Sequence, residues 1–137
     1  MNQEKKWSDA SILKKLPNPA ATPFQMRNET TEVTFLGVPE QPDFATIRMT
    51  FFPNNTIIEL KSFKFYFHQF RNAVISYERF LDVVYKDLMT VYEPHRLRLR
   101  ILLKPRGGIV TDFLKDSDWK ILGGQELYKD WVEPKGW

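Results

Sequence analysis

Arg96-Leu97-Arg98-Leu99-Arg100-Ile101-Leu102 decides the fold, because basic and apolar side chains alternate there without a break. That period of two belongs to a strand with one basic and one apolar face. Immediately before it, Phe80, Leu81, Val84 and Leu88 recur at steps of three and four. This predicts a helix over 76–91, with Ser76 as its cap, Pro94 closing the region, and Arg79, Asp82, Lys86 and Asp87 on its polar face. Immediately after it, Pro105-Arg106-Gly107-Gly108 predicts a turn into a last strand, Ile109 to Phe113.

Moving further outward, Phe44 to Phe52 alternates again, with Ala45, Ile47, Met49 and Phe51 on one face and Phe44, Thr46, Arg48 and Thr50 on the other. Pro53-Asn54-Asn55-Thr56 predicts a turn, and Thr56 to Glu59 an extended return, so the pair is expected to form an antiparallel hairpin. Val33, Phe35 and Leu36 suggest a short strand over 32–38, followed by a proline-rich loop over 39–43. Lys61 to Asn72 fits either a strand or a short helix. In the first thirty residues, Pro17, Pro19 and Pro23 break regular structure, and only Ser8 to Leu16 has the makings of a short helix. The expected order is two strands, one or two helices, two strands: an α+β unit with a four-stranded antiparallel sheet and its helices on one face. Its bare edges suggest closure with neighbouring copies. The expected division is an N-terminal arm (1–30), one domain (31–115) and a tail (116–137) that packs on that domain.

Composition narrows the function. The 137 residues are 42% hydrophobic, 15% aromatic and 27% charged, which excludes a wholly disordered chain. The apolar runs fall far short of the roughly 20 residues that cross a bilayer, and MNQEKKWSDAS lacks the apolar core of a signal peptide, so a cytoplasmic protein without a membrane partner is expected. The absence of cysteine excludes disulfides, thiolate metal sites and a cysteine nucleophile. With only His68 and His95, a three-histidine zinc site is impossible, and no metal is expected. Thr56 to Arg106 holds ten Lys/Arg against five Asp/Glu within a chain of net charge +3, which favours an anionic ligand there.

Glu59-Leu60-Lys61-Ser62-Phe63-Lys64, continuing to Phe70-Arg71-Asn72, resembles the signature of the 7-cyano-7-deazaguanine reductases of queuosine biosynthesis (QueF). Gln41-Pro42-Asp43-Phe44-Ala45-Thr46-Ile47 is similar to that family's strand entry, and Lys104-Pro105-Arg106-Gly107-Gly108-Ile109 to its Pro-Arg-Gly-Gly turn. The three blocks follow the family order and together cover about Val33 to Phe113. The resemblance implies the tunnelling fold, ββααββ, assembled into homo-oligomeric rings (pentamer or decamer) with purine or pterin sites between subunits. It also implies a tRNA-modification oxidoreductase that reduces a nitrile to an amine with NADPH, through a cysteine thioimide.

Three positions depart from that pattern. By the same resemblance the catalytic cysteine falls on Leu36, with Gly37 in place of proline, and the family's His-Glu pair falls on Tyr77 and Glu78. A thioimide cannot form on a leucine. Glu78 resembles the family's base anchor, whose two acceptor oxygens suit a guanine-like edge; the alternative is an exposed helix-face carboxylate. Glu59 and Tyr77 join it as candidate substrate-binding residues. Asp43 resembles the proton donor, with a structural cap after Pro42 as the alternative. Lys61, Ser62, Lys64 and Arg71 match positions resembling NADPH phosphate contacts, against the alternative of a solvated basic face. Arg96, Arg98 and Arg100 have no family role and suggest a solvated strand face, and His68 suggests a packed core histidine.

The expected function is therefore a diverged reductase homologue that binds a purine or deazapurine without covalent chemistry. One alternative is a reductase that delivers hydride directly to the nitrile. A second is an RNA-binding or structural ring, although direct nucleic-acid binding is not expected.

Overall fold

The alternation at 96–102 becomes β5 (Arg96–Arg106), an inner strand of a four-stranded antiparallel sheet whose other members are β2 (Met26–Val38), β3 (Gln41–Phe52) and β6 (Ile109–Asp116), in the order β2-β3-β5-β6. The computed structural model describes residues 6–119; residues 1–5 and the tail from 120 onward, with Trp131 and Trp137 and the packing expected of them, lie outside the described residues. Two helices, α1 (Leu60–His68) and α2 (Tyr77–Tyr92), cover one face of the sheet, giving the expected α+β architecture with its ββααββ core. A two-stranded sheet of β1 (Lys15–Pro17) and β4 (Thr56–Ile58) completes the described chain.

The core forms where the periods said it would. Leu97, Leu99, Ile101 and Leu103 of β5 and Ala45, Ile47, Met49 and Phe51 of β3 meet Phe80, Val84, Leu88 and Tyr92 of α2. Ser76 caps α2 by accepting the Arg79 N–H at 3.2 Å. The helix ends at Glu93 in the left-handed conformation, just before Pro94. Lys61 to Asn72 resolves as helix because Phe63, Tyr66, Phe67 and Phe70, at three- and four-residue steps, all face the core.

Four expectations are corrected. Thr56–Ile58 does not return along β3, since both sides of β3 are taken by β2 and β5; it pairs with Lys15–Pro17 instead. Ser8 to Leu16 is not a helix: one 3-10 turn over Ala10–Ile12, capped by Asp9, gives way to β1. β2 starts at Met26, inside the stretch assigned to the arm, because β3 offers it partners as far as Phe51. Residues 39–43 form a two-residue turn rather than a loop, with Glu40 at φ 68°, and Pro42 sits within β3 beside a register shift, where a missing N–H is tolerated.

The arginines of β5 are ion-paired rather than simply solvated. Arg96 and Arg98 each donate to Asp116 at 2.8 Å, and Arg100 reaches Asp112 at 3.2 Å. Burial pushes the Asp116 carboxyl up, but the hydrogen bonds from Arg96, the Asp118 N–H and Arg98 outweigh it, so its pKa is held below the usual carboxylate value. A depressed carboxylate stabilises the fold above its unfolded pKa, and that contribution is lost as pH falls through the folded one. The denaturant midpoint should therefore fall below about pH 4, and Asp116→Asn should flatten the fall.

Candidate functional site

The site is assembled where the β2–β3 turn meets the start of α2. The segment between the helices is laced to β2: the Leu36 N–H donates to the Ala73 carbonyl and the Ile75 N–H to the Leu36 carbonyl, both at 2.9 Å. This brings the start of α2 to β2, with Tyr77 Cε1 3.3 Å from where a Cβ on residue 37 would lie and Glu78 next to Tyr77 in the same first turn. Leu36 itself is half-buried, with an aliphatic side chain where the resemblance calls for a thiol.

Asp43, across the ladder from Phe35 and buried, is the centre of the cluster. Its Oδ2 accepts the Gly37 N–H at 3.0 Å, its Oδ1 accepts the Tyr77 hydroxyl at 2.7 Å, and Arg106 Nη1 lies 3.2 Å from one oxygen and 3.4 Å from the other. Arg106 also donates to the Gln41 side-chain oxygen, tying the β5–β6 turn to the entry of β3. A Cβ on residue 37 would lie 2.2 Å from Asp43 Oδ2, so only glycine leaves room for this approach. Proline at that position would lack the N–H altogether.

Two changed positions, Gly37 and Tyr77, therefore act on one carboxylate together with Arg106. The hydrogen bond to Asp43, followed by burial, pushes the Tyr77 phenol up from its ordinary value, so it remains a proton donor throughout the neutral range. Its ring meets Phe35 edge-on at 5.8 Å and Phe113 at 6.4 Å. Asp43 thus accepts from a backbone N–H, a phenol and a guanidinium at once. Glu78 is exposed one residue into α2, where the helix N-terminus favours an anion, and its carboxylate accepts no hydrogen bond among the described residues.

The other candidates separate into two groups. Glu59 and Ser62 form the cap of α1: Glu59 Oε2 accepts the Ser62 N–H at 2.6 Å, while the Ser62 hydroxyl donates to the Glu59 carbonyl and accepts the Lys14 N–H. That backbone hydrogen bond holds the Glu59 carboxyl below its ordinary value. Among the described residues, these bonds run to one another and to Lys14, away from Asp43. The Ser62 hydroxyl is buried and already both donor and acceptor, so it does not suit a phosphate contact.

Lys61, Lys64 and Arg71 are exposed and do suit one. Lys64 and His68 line a groove of about 320 Å³ between α1 and residues 28–32 of β2. Arg71 lines a second groove, of about 380 Å³, which shares Thr31 and Glu32 with the first and reaches Phe44 and Lys104. His68 is half-exposed on the groove rim rather than packed in the core. Desolvation, then the charges of Arg71 and Lys64, hold its pKa below the ordinary 6.5, so the strip presents a neutral imidazole between cations at neutral pH.

Sequence reasoning named Asp43, Tyr77 and Glu78 but gave no role to Gly37 or Arg106. A backbone N–H has no letter in a sequence, and Arg106 reaches Asp43 from 63 residues away. The Pro-Arg-Gly-Gly turn was the available signal for the arginine.

Comparison with known proteins gives the family to which the chain belongs. The NADPH-dependent 7-cyano-7-deazaguanine reductase of Chlorobium luteolum is 47% identical over 68 residues, covering 50% of this chain and 59% of that protein. Its counterpart in Exiguobacterium sibiricum is 35% identical over 103 residues, covering 74% of this chain and 64% of that protein. The chain thus spans about three fifths of the length of these relatives. The crystal structure of an archaeosine synthase QueF-Like in the apo form superposes with a TM-score of 0.58 at 11% identity, over 72% of this chain and 95% of that one, a likeness of fold alone. No described helix is long and apolar enough to cross a membrane. The family described as QueF-like protein matches residues 42–120, more than half of the chain and the stretch that carries Asp43, Tyr77, Glu78 and Arg106, and the chain belongs to that family.

Proposed function

We propose that this chain binds a guanine-like heterocycle of the 7-deazaguanine class between Glu78 and Tyr77, and that no covalent bond forms between ligand and protein. The observation that carries this reading is the Asp43 cluster. Leu36 removes the nucleophile, yet Gly37 donates to Asp43 and Tyr77 donates to it from the other side, so the site has been rebuilt around the carboxylate. Glu78 supplies two acceptors for adjacent N–H groups of the heterocycle, Arg106 supplies N–H donors for its acceptors, and the Tyr77 oxygen, whose proton goes to Asp43, keeps a lone pair that accepts. Arrangement of copies in a ring, with the heterocycle site near a subunit boundary, belongs to the same proposal.

NADPH is the cofactor this reading implies, and Lys61, Lys64 and Arg71 would hold its phosphates. Bound there, it would supply hydride. The chain's own residues position the heterocycle and keep a phenolic proton near it. Lacking a thiolate, they offer no route to covalent activation of a nitrile.

The test is calorimetric titration with 7-cyano-7-deazaguanine and with guanine, alongside intact-mass measurement and NADPH absorbance. Wild-type protein should bind without mass change and without consuming NADPH. Glu78→Ala should weaken binding by at least tenfold, about 1.4 kcal/mol. Unchanged affinity in Glu78→Ala would remove the anchor, a stable adduct would overturn non-covalent binding, and NADPH turnover would establish direct hydride delivery in its place.

A further inference from the structure

The sheet face turned away from the helices carries an aromatic ring that the fold does not use. Phe44 lies on β3 opposite in phase to the buried Ala45 and Ile47, and it is 47% exposed. Lys104 Nζ sits 5.6 Å from its ring centroid. Grooves run on both sides: the one of about 380 Å³ leads to Arg71, and one of about 390 Å³ leads along Gln41 to Arg106. Arg48, Arg96, Arg98 and Arg100 on this face are each paired with a carboxylate. Among the described residues Lys104 and Arg71 have no carboxylate partner.

We propose that Phe44, Lys104 and Arg71 form a nucleotide subsite, in which a planar base stacks on Phe44 and a phosphate sits between the two cations. This deepens the cofactor reading, on which it rests, by adding two residues outside the α1 signature. The chemistry follows from the surfaces present. An exposed ring offers a base a stacking partner irrespective of its hydrogen-bonding edge, and unpaired cations bind a phosphate without first breaking an ion pair. Glu32 lines the same groove as Arg71 and opposes a phosphate placed near it. Removing its charge should therefore tighten binding.

The experiment is titration of the full chain with NADPH, adenosine 2′,5′-bisphosphate and a single-stranded hexa-adenylate, at two salt concentrations. Phe44→Ala should weaken both small ligands about tenfold, and Phe44→Leu should do nearly the same, since apolar bulk without a π face does not restore stacking. Lys104→Ala should weaken them several-fold and lower the salt dependence, and Glu32→Gln should strengthen them. Circular dichroism should be unchanged, because the altered side chains lie outside the core. NADPH bound equally by wild type, Phe44→Ala and Lys104→Ala would overturn the subsite while leaving the cofactor reading intact. Absence of NADPH binding by wild type would overturn both. Hexa-adenylate bound through Phe44 more tightly than the bisphosphate would overturn assignment to a free nucleotide.

Discussion

Replacing Asp43 by alanine is expected to lower folding stability by about 3 kcal/mol and to abolish heterocycle binding, read as a lower denaturant midpoint at unchanged slope and as loss of the calorimetric signal. The size follows from what is stranded. Asp43 is buried, and its removal leaves the Gly37 N–H, the Tyr77 hydroxyl and Arg106 Nη1 without their acceptor at once. Gly37→Ala attacks the same contact from the other side, since the added Cβ must push Asp43 Oδ2 away from 2.2 Å. Alone it should cost about 2 kcal/mol. In the Asp43→Ala background the atom it strikes is gone, and only the tight approach of Tyr77 Cε1 at 3.3 Å remains, which a ring freed from its bond to Asp43 can relieve by shifting a few tenths of an ångström, so the second substitution should cost clearly less than in wild type. Equal costs in the two backgrounds would show that the glycine serves something other than the carboxylate.

The parts of this protein that could be read in advance are those whose burial writes a period into the sequence. β5 and α2 each bury one face against the same core, and both were legible to within a few residues. The first half of β2 was not, because Met26-Arg27-Asn28-Glu29-Thr30 borders the sheet edge and carries only one strongly apolar residue. β1 and β4 are three residues each and owe their existence to one another, a relation no local pattern encodes. Lys61 to Asn72 satisfied two periods because Phe65 is an exposed aromatic, 46% accessible, that completes an apparent alternation without contributing to the core. Ser62 misled in a related way. A hydroxyl between two lysines suggests a phosphate ligand, but three residues after a glutamate it is also the partner that a helix cap requires. The site was legible as residue types and illegible as connections, because Gly37 acts through its backbone and Arg106 from the end of β5, a strand adjacent to β3 in space but distant in sequence.

The connection between core and site gives the second large effect. Phe80→Ala should destabilise the fold by about 4 kcal/mol, since the ring is fully buried, stacks on Phe35 at 4.5 Å and meets Phe70 edge-on at 5.0 Å. Phe80→Leu, which keeps most of the volume, should cost less than half as much. The same ring supports the site, because Phe35 carries Tyr77 against its edge at 5.8 Å and immediately precedes Leu36 in β2. At a temperature where Phe80→Ala is still folded, Tyr77 should lose its fixed ring position, and affinity for the heterocycle should fall several-fold. Nucleotide affinity, which depends on Phe44 on the opposite sheet face, should be preserved. Titrating both ligands against one preparation separates the cases: a parallel loss of both would mean that the variant is partly unfolded, whereas loss of the heterocycle alone would trace the support of Tyr77 through Phe35 to the first turn of α2. If both affinities stay at wild-type values while stability falls by the expected amount, Tyr77 is held by its bond to Asp43 alone, and the aromatic contact beneath it is packing without a role in binding.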